Sequence, residues 1–329
     1  MNMKTLEVPA AVVPCVVCGR RNKTKWRFSV VNNSSAGDVA HLTIAKCPRC
    51  GHVYQSPQAD KNYTDDYYDY VYETAGDHHA YWNPTTKRQH AVILLEAVRA
   101  HHPRVQSVLD VGAGMGAFVA VAREAGLDAH GTEMAPMAVK KAKELFGVSL
   151  HLGDIDSLPG DEQYDAVVLW DVIEHCPRPD LVLKTVSQRV KPNGKVILTT
   201  GNYESHDRMW SGRDWWCWHQ DHYHYFSPSG MAALAARYDL ADFVLGSVPR
   251  IRPPAGADGS DPSGAPSRRS ALRFLNPSHV RSALRWKAVK LYSRLRHPAH
   301  SEIGIMLCVF TKKTAAATGT AIAPGERFA

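Results

Sequence analysis

The sequence has 329 residues, 44% hydrophobic and 22% charged, which is typical of a soluble globular protein with a sizeable core. No run approaches 18 uninterrupted apolar residues and the N-terminal segment does not resemble a signal peptide, so we expect a cytoplasmic protein without membrane spans. The net charge of +7 is uneven, because residues 250–300 carry nine Arg and two Lys against two Asp. The rest of the chain is therefore slightly acidic.

Residues 1–58 are predicted to form a small zinc ribbon. Two cysteine pairs, Cys15-Val-Val-Cys18 and Cys47-Pro-Arg-Cys50, are each followed by a glycine that allows a tight turn. In a reducing compartment this doubled spacing indicates a metal site and not a disulfide framework. Four thiolates complete a tetrahedral zinc shell, so the metal would be structural. The strand-like runs WRFSVV and HLTIAK lie between the two pairs.

Residues 59–100 are predicted to connect this ribbon to a core. Residues 62–82 are rich in Tyr and acidic groups, and a helix-like stretch begins at Thr85. The Tyr-rich run either completes a ligand pocket or packs the ribbon on the core, and the sequence favours neither.

An alternation of strand-like and helix-like runs begins at Ser107. The strand-like runs are SVLDVG, LDAHGTE, YDAVVLWD, KVILTTG and ADFVLGSV, with helix-like runs such as PMAVKKAKELFG between them. This order predicts an α/β fold with a doubly wound, mostly parallel sheet. We assign the core to residues 101–249 and 301–314, where IGIMLCVFTKK supplies the last strand.

Residues 250–300 are predicted to form a basic insert, and residues 315–329 a disordered tail. The insert begins as a Pro/Gly-rich loop and continues as an amphipathic helix over residues 277–296, whose apolar stripe is flanked by Arg and Lys. Such a helix either lies on an anionic membrane surface or packs on the core with a solvated basic rim, which is the more common arrangement.

The stretch SVLDVGAGMGAF contains a glycine-rich turn between a predicted strand and a predicted helix. Gly112, Gly114 and Gly116 let the backbone pass close to a ligand. A dinucleotide loop would place its third glycine at position 117, and a phosphate loop would need Gly-Lys-Ser/Thr, which is absent.

This turn and three later segments resemble the class I S-adenosylmethionine-dependent methyltransferases, in which similar segments follow in the same order. The turn itself is similar to the first motif of that family. The four segments are the turn from Asp110 to Gly116, Glu133 at the end of LDAHGTE, Gly153-Asp154-Ile155, and the run 170–175 that reads WDVIEH.

The resemblance implies a Rossmann-like sheet of the seven-stranded type with S-adenosylmethionine as cofactor. The glycine turn and Asp110 would lie beneath the methionine part, and Glu133 would accept the ribose hydroxyls. Asp154 and Ile155 would meet the adenine, and Asp171 would border the site from the post-strand segment.

Residues 214–226 read DWWCWHQDHYHYF and combine aromatic rings with imidazoles. The run from Asp221 to Ser227 resembles the segment E/D-H-x-x-x-F-S of methyltransferases that act on small molecules and glycans. That resemblance implies that His222 is the general base for an acceptor hydroxyl, with His219 and His224 in reserve. The alternative is a hydrophobic lid within which these histidines only form hydrogen bonds.

A zinc ribbon before such a core resembles bacterial methyltransferases that modify sugars, polysaccharides, lipids or natural products. It implies a small-molecule, sugar-like or lipid-linked acceptor, and a lipid-linked one would suit a protein bound peripherally at the inner membrane face. One alternative is an RNA methyltransferase that grips phosphates with the ribbon and the basic insert, although the acidic remainder of the chain counts against nucleic acid. Another is a non-catalytic S-adenosylmethionine-binding module. The sequence does not indicate an oligomeric state.

Overall fold

The computed structural model describes residues 14–20, 25–31, 39–56, 58, 83–219, 221–248 and 302–314. The Tyr-rich run, the predicted basic insert with its helix at 277–296, and the predicted tail lie outside these residues. We call residues 14–58 the N-terminal module and the described residues from 83 onward the core.

A seven-stranded, mostly parallel sheet organises the core, as the sequence predicts. Its strands are β4 (Ser107–Val111), β5 (Asp128–Glu133), β6 (His151–Leu152), β7 (Tyr164–Trp170), β8 (Val190–Gly201), β10 (Leu240–Gly246) and β11 (Ile305–Lys312). Their order in the sheet is β10-β11-β8-β7-β4-β5-β6. The five strands from β8 to β6 are parallel, and β11 runs antiparallel to both of its neighbours.

Six α-helices accompany these strands in the described part of the core. They are α1 (Pro84–His101), α2 (Ala117–Glu124), α3 (Pro136–Phe146), α4 (Pro179–Arg189), α5 (His206–Ser211) and α6 (Pro228–Ala235). Four of them begin with proline, which is favoured there because the first helical N–H has no partner within the helix.

The helices cover both faces of the sheet. Alternate residues of the central strands point to opposite sides, so Leu109 and Leu169 pack with α4 and α6, while Val108 and Val168 pack with α1 and α2. Burial on both faces explains why the central strands read as nearly continuous hydrophobic runs.

A second sheet joins the N-terminal module to the core. It has the order β1-β2-β3-β9, with β1 (Lys25–Val31), β2 (Val39–Lys46) and β3 (Val53–Gln55) from the module. Its last strand, β9 (His224–Tyr225), comes from residues 214–226, which we call the aromatic segment. Val53 of β3 pairs with Tyr225 of β9. The aromatic segment therefore completes the sheet of the module, which the sequence does not reveal.

The aromatic side chains of this segment form the apolar interface between the two parts. Trp218 and Tyr225 pack edge to face with ring centroids 4.5 Å apart, and Trp215 is almost fully buried. The cluster that unites them with module and core residues consists of Leu42, Ile44, Val53, Tyr203, Trp215, Cys217, Trp218 and Tyr225. Fully burying one such side chain contributes about 1.5–3 kcal/mol, so this interface is substantial.

Within the described residues, no helix combines the length and the apolar character needed to cross a membrane.

Candidate functional site

The sheet has a topological switch point between β4 and β7, where a ligand crevice is expected. The chain runs outward from β4 through β5 to β6 and then returns to β7 on the other side of β4, so the strand order reverses between these two strands. In open α/β sheets ligands bind at such a reversal, beyond the carboxyl ends of the strands. The glycine turn follows β4 and Asp171 follows β7, so both border this switch point.

The glycine turn is tightly packed and requires glycine at its first position. Gly112 has φ +71°, and a Cβ there would lie 2.7 Å from the side chain of Val172. Gly114 and Gly116 also have positive φ angles. The turn thus passes directly against the post-β7 segment.

Glu133, at the end of β5, is hydrogen-bonded to this turn. Its carboxylate accepts hydrogen bonds from the backbone N–H of Gly114 at 2.7 Å and of Ala135 at 2.9 Å. Burial raises the pKa of Glu133, while these hydrogen bonds oppose that shift.

Asp110 lies beneath the turn and is 1% exposed. Its Oδ1 has no hydrogen-bond partner among the described residues, and burial together with the charge of Glu133 raises its pKa well above the usual value. A buried polar atom without a partner is costly and rare, so this atom marks where a ligand amine could bind.

The third predicted segment lies beside Glu133. The N–H of Gly153 donates to the carbonyl of Glu133 at 2.9 Å. The Asp154 carboxylate caps the short 3₁₀ helix Ile155–Ser157 by accepting from the Ser157 N–H at 2.9 Å, and Ile155 is buried in the core. Contact of Asp154 and Ile155 with an adenine stays a prediction.

Asp171 adopts a backbone conformation that is unusual for a non-glycine residue, with φ +54°. Its N–H donates to Thr199 Oγ1 at 2.9 Å, and that hydroxyl donates to the Asp171 carboxylate at 2.8 Å. Such strained positions cost about 1–3 kcal/mol and cluster at functional sites. Lys87 of helix α1 interacts electrostatically with Asp171. Burial lowers the pKa of Lys87 to about 7, and the charge of Asp171 opposes this shift. No sequence pattern singled out Lys87.

The predicted base His222 lies in a cluster with the post-β7 segment. Its ring packs edge to face on that of His175, with centroids 4.6 Å apart. Its Nδ1 lies 2.9 Å from the carbonyl of Cys217, and because a carbonyl only accepts, Nδ1 carries the proton and Nε2 the lone pair. Burial and the charge of His175 lower the pKa of His222 to about 3, so the ring is neutral at physiological pH.

Asp221 orients two imidazoles of this cluster. His219 Nδ1 contacts its carboxylate, and His175 Nδ1 lies 3.4 Å from the other carboxylate oxygen and 3.0 Å from the Asp221 carbonyl. Burial opposes the charge on Asp221, but the two histidines hold its pKa well below the usual range. Burial likewise opposes the charge on His175, yet Asp221 raises its pKa to about 9.

Glu174 completes the cluster and was not singled out as a site residue from the sequence, although it belongs to the WDVIEH run. It is 4% exposed, its Oε2 has no hydrogen-bond partner among the described residues, and burial raises its pKa to about 7. One ligand atom each from Glu174, His175 and His222 lie within 4.8 Å of one another. This set of groups could hold a divalent metal ion, which would polarise an oxygen bound to it.

His224, by contrast, belongs to the interface between module and core. It is 1% exposed, its Nδ1 lies 3.1 Å from Nε2 of His52, and its Nε2 lies 3.3 Å from the carbonyl of Pro177. Both nitrogens are therefore engaged away from the His222 cluster, which favours a packing role over a reserve base.

The buried His224 should make the stability of the protein pH-dependent. Burial lowers its pKa to about 4, so the unfolded chain binds its proton first and stability falls as pH drops from about 6.5 to about 4. This shift corresponds to roughly 3 kcal/mol. We expect His224→Gln, which retains hydrogen bonding but does not titrate, to flatten the decline of the melting temperature between pH 7 and pH 4.5. Equal slopes for the wild type and the variant would contradict this assignment.

The four predicted metal ligands come together in the N-terminal module. Cys15 Sγ lies 3.5 Å from Cys50 Sγ, and Cys18 Sγ lies 3.4 Å from Cys47 Sγ. All four sulfurs lie within 4.8 Å of one another. A tetrahedral zinc with Zn–S bonds of about 2.3 Å separates its sulfurs by roughly 3.8 Å, so the cluster has the size that zinc requires.

Part of the core is similar to known proteins. Residues 85–243 match the family model described as a methyltransferase domain. The ubiquinone biosynthesis O-methyltransferase of Pseudomonas paraeruginosa (strain DSM 24068 / PA7) is 34% identical over 106 residues, which cover 30% of this chain and 45% of that protein. The chain thus spans less than half the length of this relative, and the N-terminal module lies outside the family match.

Two solved structures are among those to which the chain is similar. A SAM-dependent methyltransferase from Thermotoga maritima has 16% identity and a TM-score of 0.44, covering 77% of this chain and 96% of that one. A SAM-dependent methyltransferase from Archaeoglobus fulgidus has 16% identity and a TM-score of 0.46, covering 68% and 94%.

Proposed function

We propose that the protein, whose residues 85–243 match a family model described as a methyltransferase domain, transfers a methyl group from S-adenosylmethionine to a hydroxyl of a small-molecule, sugar-like or lipid-linked acceptor. The observation that carries the proposal is the meeting of two groups of residues at the strand-order reversal between β4 and β7. The glycine turn and Glu133 border one side of it, and the Glu174–His175–His222 cluster follows the strand on the other side.

The residues around the glycine turn fit S-adenosylmethionine. Asp110 offers an unpartnered, buried carboxyl oxygen beneath the turn, which an amino group of the methionine part would satisfy. Glu133 retains acceptor capacity for ribose hydroxyls, since each carboxylate oxygen has two lone pairs. Gly112, Gly114, Gly116, Asp154, Ile155 and Asp171 are the other residues that we propose to border the cofactor.

The cofactor supplies an electrophilic methyl group on a sulfonium. Bound there, it would deliver this methyl group to an acceptor oxygen and leave as a thioether, so the acceptor hydroxyl would have to lose its proton. His222 Nε2 takes the hydroxyl proton, with Nδ1 fixed on the Cys217 carbonyl. His219 is held by Asp221 and is the reserve base.

Because such a displacement depends mainly on positioning and exclusion of water, the buried aromatic interface next to His222 contributes by fixing the segment that carries it.

We further propose that Cys15, Cys18, Cys47 and Cys50 bind one structural zinc ion. The spacing of the sulfurs supports this, and so does the small size of the N-terminal module.

The proposed acceptor class follows from the relative that the chain matches. The matched relative is named for ubiquinone biosynthesis, a small-molecule modification. RNA remains the second candidate, because the basic residues 250–300 could contact phosphates. Cytoplasmic location, with peripheral membrane contact through residues 277–296 for a lipid-linked acceptor, stays a prediction.

The cofactor site is tested by the substitution Gly112→Ala. The new Cβ would meet the side chain of Val172 at 2.7 Å in a left-handed conformation, so the turn must shift. We expect the affinity for S-adenosylmethionine to fall about tenfold or more in isothermal titration calorimetry. Gly126→Ala is the matched control, because Gly126 has φ +84° but an open space around its Cβ. Equal affinities for the two variants would contradict the assignment.

The function is tested with S-adenosylmethionine that carries a labelled methyl group. The protein is incubated with cell extract, and the extract is then separated into RNA, lipid and polar small-molecule fractions, with Gly112→Ala as the negative control. Label in the polar or lipid fraction supports the proposal. Label confined to RNA contradicts it and favours the second candidate. No label, with the cofactor bound, favours a non-catalytic binding module.

A further inference from the structure

Gln55 is a buried polar residue of the N-terminal module that contacts the segment carrying the proposed base. It ends β3 and is 3% exposed. Its side-chain Nε2 lies 3.0 Å from the carbonyl oxygen of His219 and 2.7 Å from that of His222. Its backbone N–H donates to the carbonyl of Tyr223 at 2.8 Å. One residue of the module therefore binds three carbonyls of residues 219–223.

The core holds the same short segment from the other side. The N–H of Tyr223 donates to the carbonyl of Glu174 at 2.8 Å, and His175 Nδ1 donates to the carbonyl of Asp221 at 3.0 Å. His219 and residues 221–223 thus lie between β3 of the module and the post-β7 turn of the core. Since these residues belong to no helix or strand, these contacts determine where the imidazoles of His219 and His222 lie.

We propose that Gln55 is a positioning residue for the transfer reaction: its amide holds the main chain at His219 and His222, and so places both imidazoles at the acceptor end of the crevice. The inference rests on the proposed function and extends it to a residue outside the methyltransferase domain.

The chemistry of the amide suits this task. The NH₂ group of glutamine carries two hydrogens on one planar nitrogen, so it can donate to two carbonyls at once. A glutamate of the same shape only accepts when ionised and would face the two carbonyls without a donor. A displacement of about 1 Å in a catalytic group can lower the rate about 10²-fold.

The position of Gln55 also gives the N-terminal module a role in catalysis. Cys47 and Cys50 precede β3 closely in the chain, and the backbone N–H of Cys47 donates to the carbonyl of His52 at 2.8 Å. The cysteine cluster therefore fixes the strand from which Gln55 reaches the core.

The test compares Gln55→Glu with Gln58→Glu. Gln58 lies three residues further along, and its Nε2 contacts the carbonyl of Pro177 at 3.3 Å, outside residues 219–223. We expect Gln55→Glu to retain its metal content and its affinity for S-adenosylmethionine, to lower kcat about 10²-fold, and to speed deuterium exchange in residues 215–226. Gln58→Glu should stay within twofold of the wild type in all four measurements.

Wild-type exchange in residues 215–226 together with a kcat within twofold of the wild type would overturn the proposal. If Gln55→Glu loses its metal, the uncharged Gln55→Met takes its place under the same criteria. The exchange measurement requires no acceptor, so it decides whether Gln55 positions the segment even if the wild-type protein transfers no label, a result that would count against the proposed function alone.

Discussion

Replacement of His222 by alanine is expected to lower kcat by about 10²–10⁴-fold, the usual contribution of a general base. The variant should bind S-adenosylmethionine as tightly as the wild type, because the glycine turn and Glu133 lie on β4 and β5, away from the replaced ring. The measurement is initial velocity at saturating acceptor and cofactor, with cofactor affinity determined in parallel. Near-normal turnover would remove His222 from the mechanism.

His224→Ala and Glu174→Gln separate the roles within the cluster. His224 has both nitrogens engaged at the module interface, so His224→Ala should affect stability more than kcat. If His222 acts as a base alone, Glu174→Gln should reduce kcat less than His222→Ala does. If the two residues share a metal ion, both variants should lose comparable activity, and the wild type should require an added divalent cation after dialysis.

Replacement of Cys47 by serine is expected to reduce the zinc content from about one ion per chain to nearly none. Structural zinc binding contributes about 10–16 kcal/mol in small zinc domains, which matches or exceeds the total stability of most domains, about 5–15 kcal/mol. The N-terminal module should therefore lose its fold. Because β9 pairs with β3, methyl transfer should fall too, while cofactor affinity persists. Metal analysis, circular dichroism and the labelled-methyl assay together measure these effects.

Cys176→Ser is the matched control for this experiment. Its thiol donates to the carbonyl of Val172 at 3.4 Å and lies outside the cysteine cluster. A serine hydroxyl at this position can donate the same hydrogen bond. Purified wild-type protein without zinc, or a Cys47→Ser variant with full zinc content, would contradict the zinc assignment.

The core was predictable because its signals are local. Strand-like runs predict β4, β5, β7, β8, β10 and β11, and the alternation of the earlier runs with helix-like runs predicts a mostly parallel sheet. The glycine turn was recognisable from Gly112, Gly114 and Gly116 because positive φ angles restrict those positions to glycine.

The joining of module and core was not predictable in the same way. Strand β9 has two residues, and its partner β3 lies far away in the chain, so neither propensity nor periodicity indicates the pairing. The aromatic residues Trp215, Trp218 and Tyr225 pack against Leu42, Ile44 and Val53 of the module, and no local pattern indicates these partners.

In the candidate site, too, some residues could be predicted from local sequence and others could not. His222 could be found because it follows a family-like segment, but Glu174 and Gln55 act through contacts between distant segments. Glutamine and glutamate are common on surfaces, and only the fold reveals that these two are buried.

The central claim is tested most directly by incubating the wild-type protein with S-adenosylmethionine bearing a deuterated methyl group and identifying the product by mass spectrometry and NMR. The account predicts a small-molecule or lipid-linked product with the deuterated methyl on oxygen, and none from Gly112→Ala. A deuterated methyl found only in RNA, or no product while the cofactor binds, would contradict it.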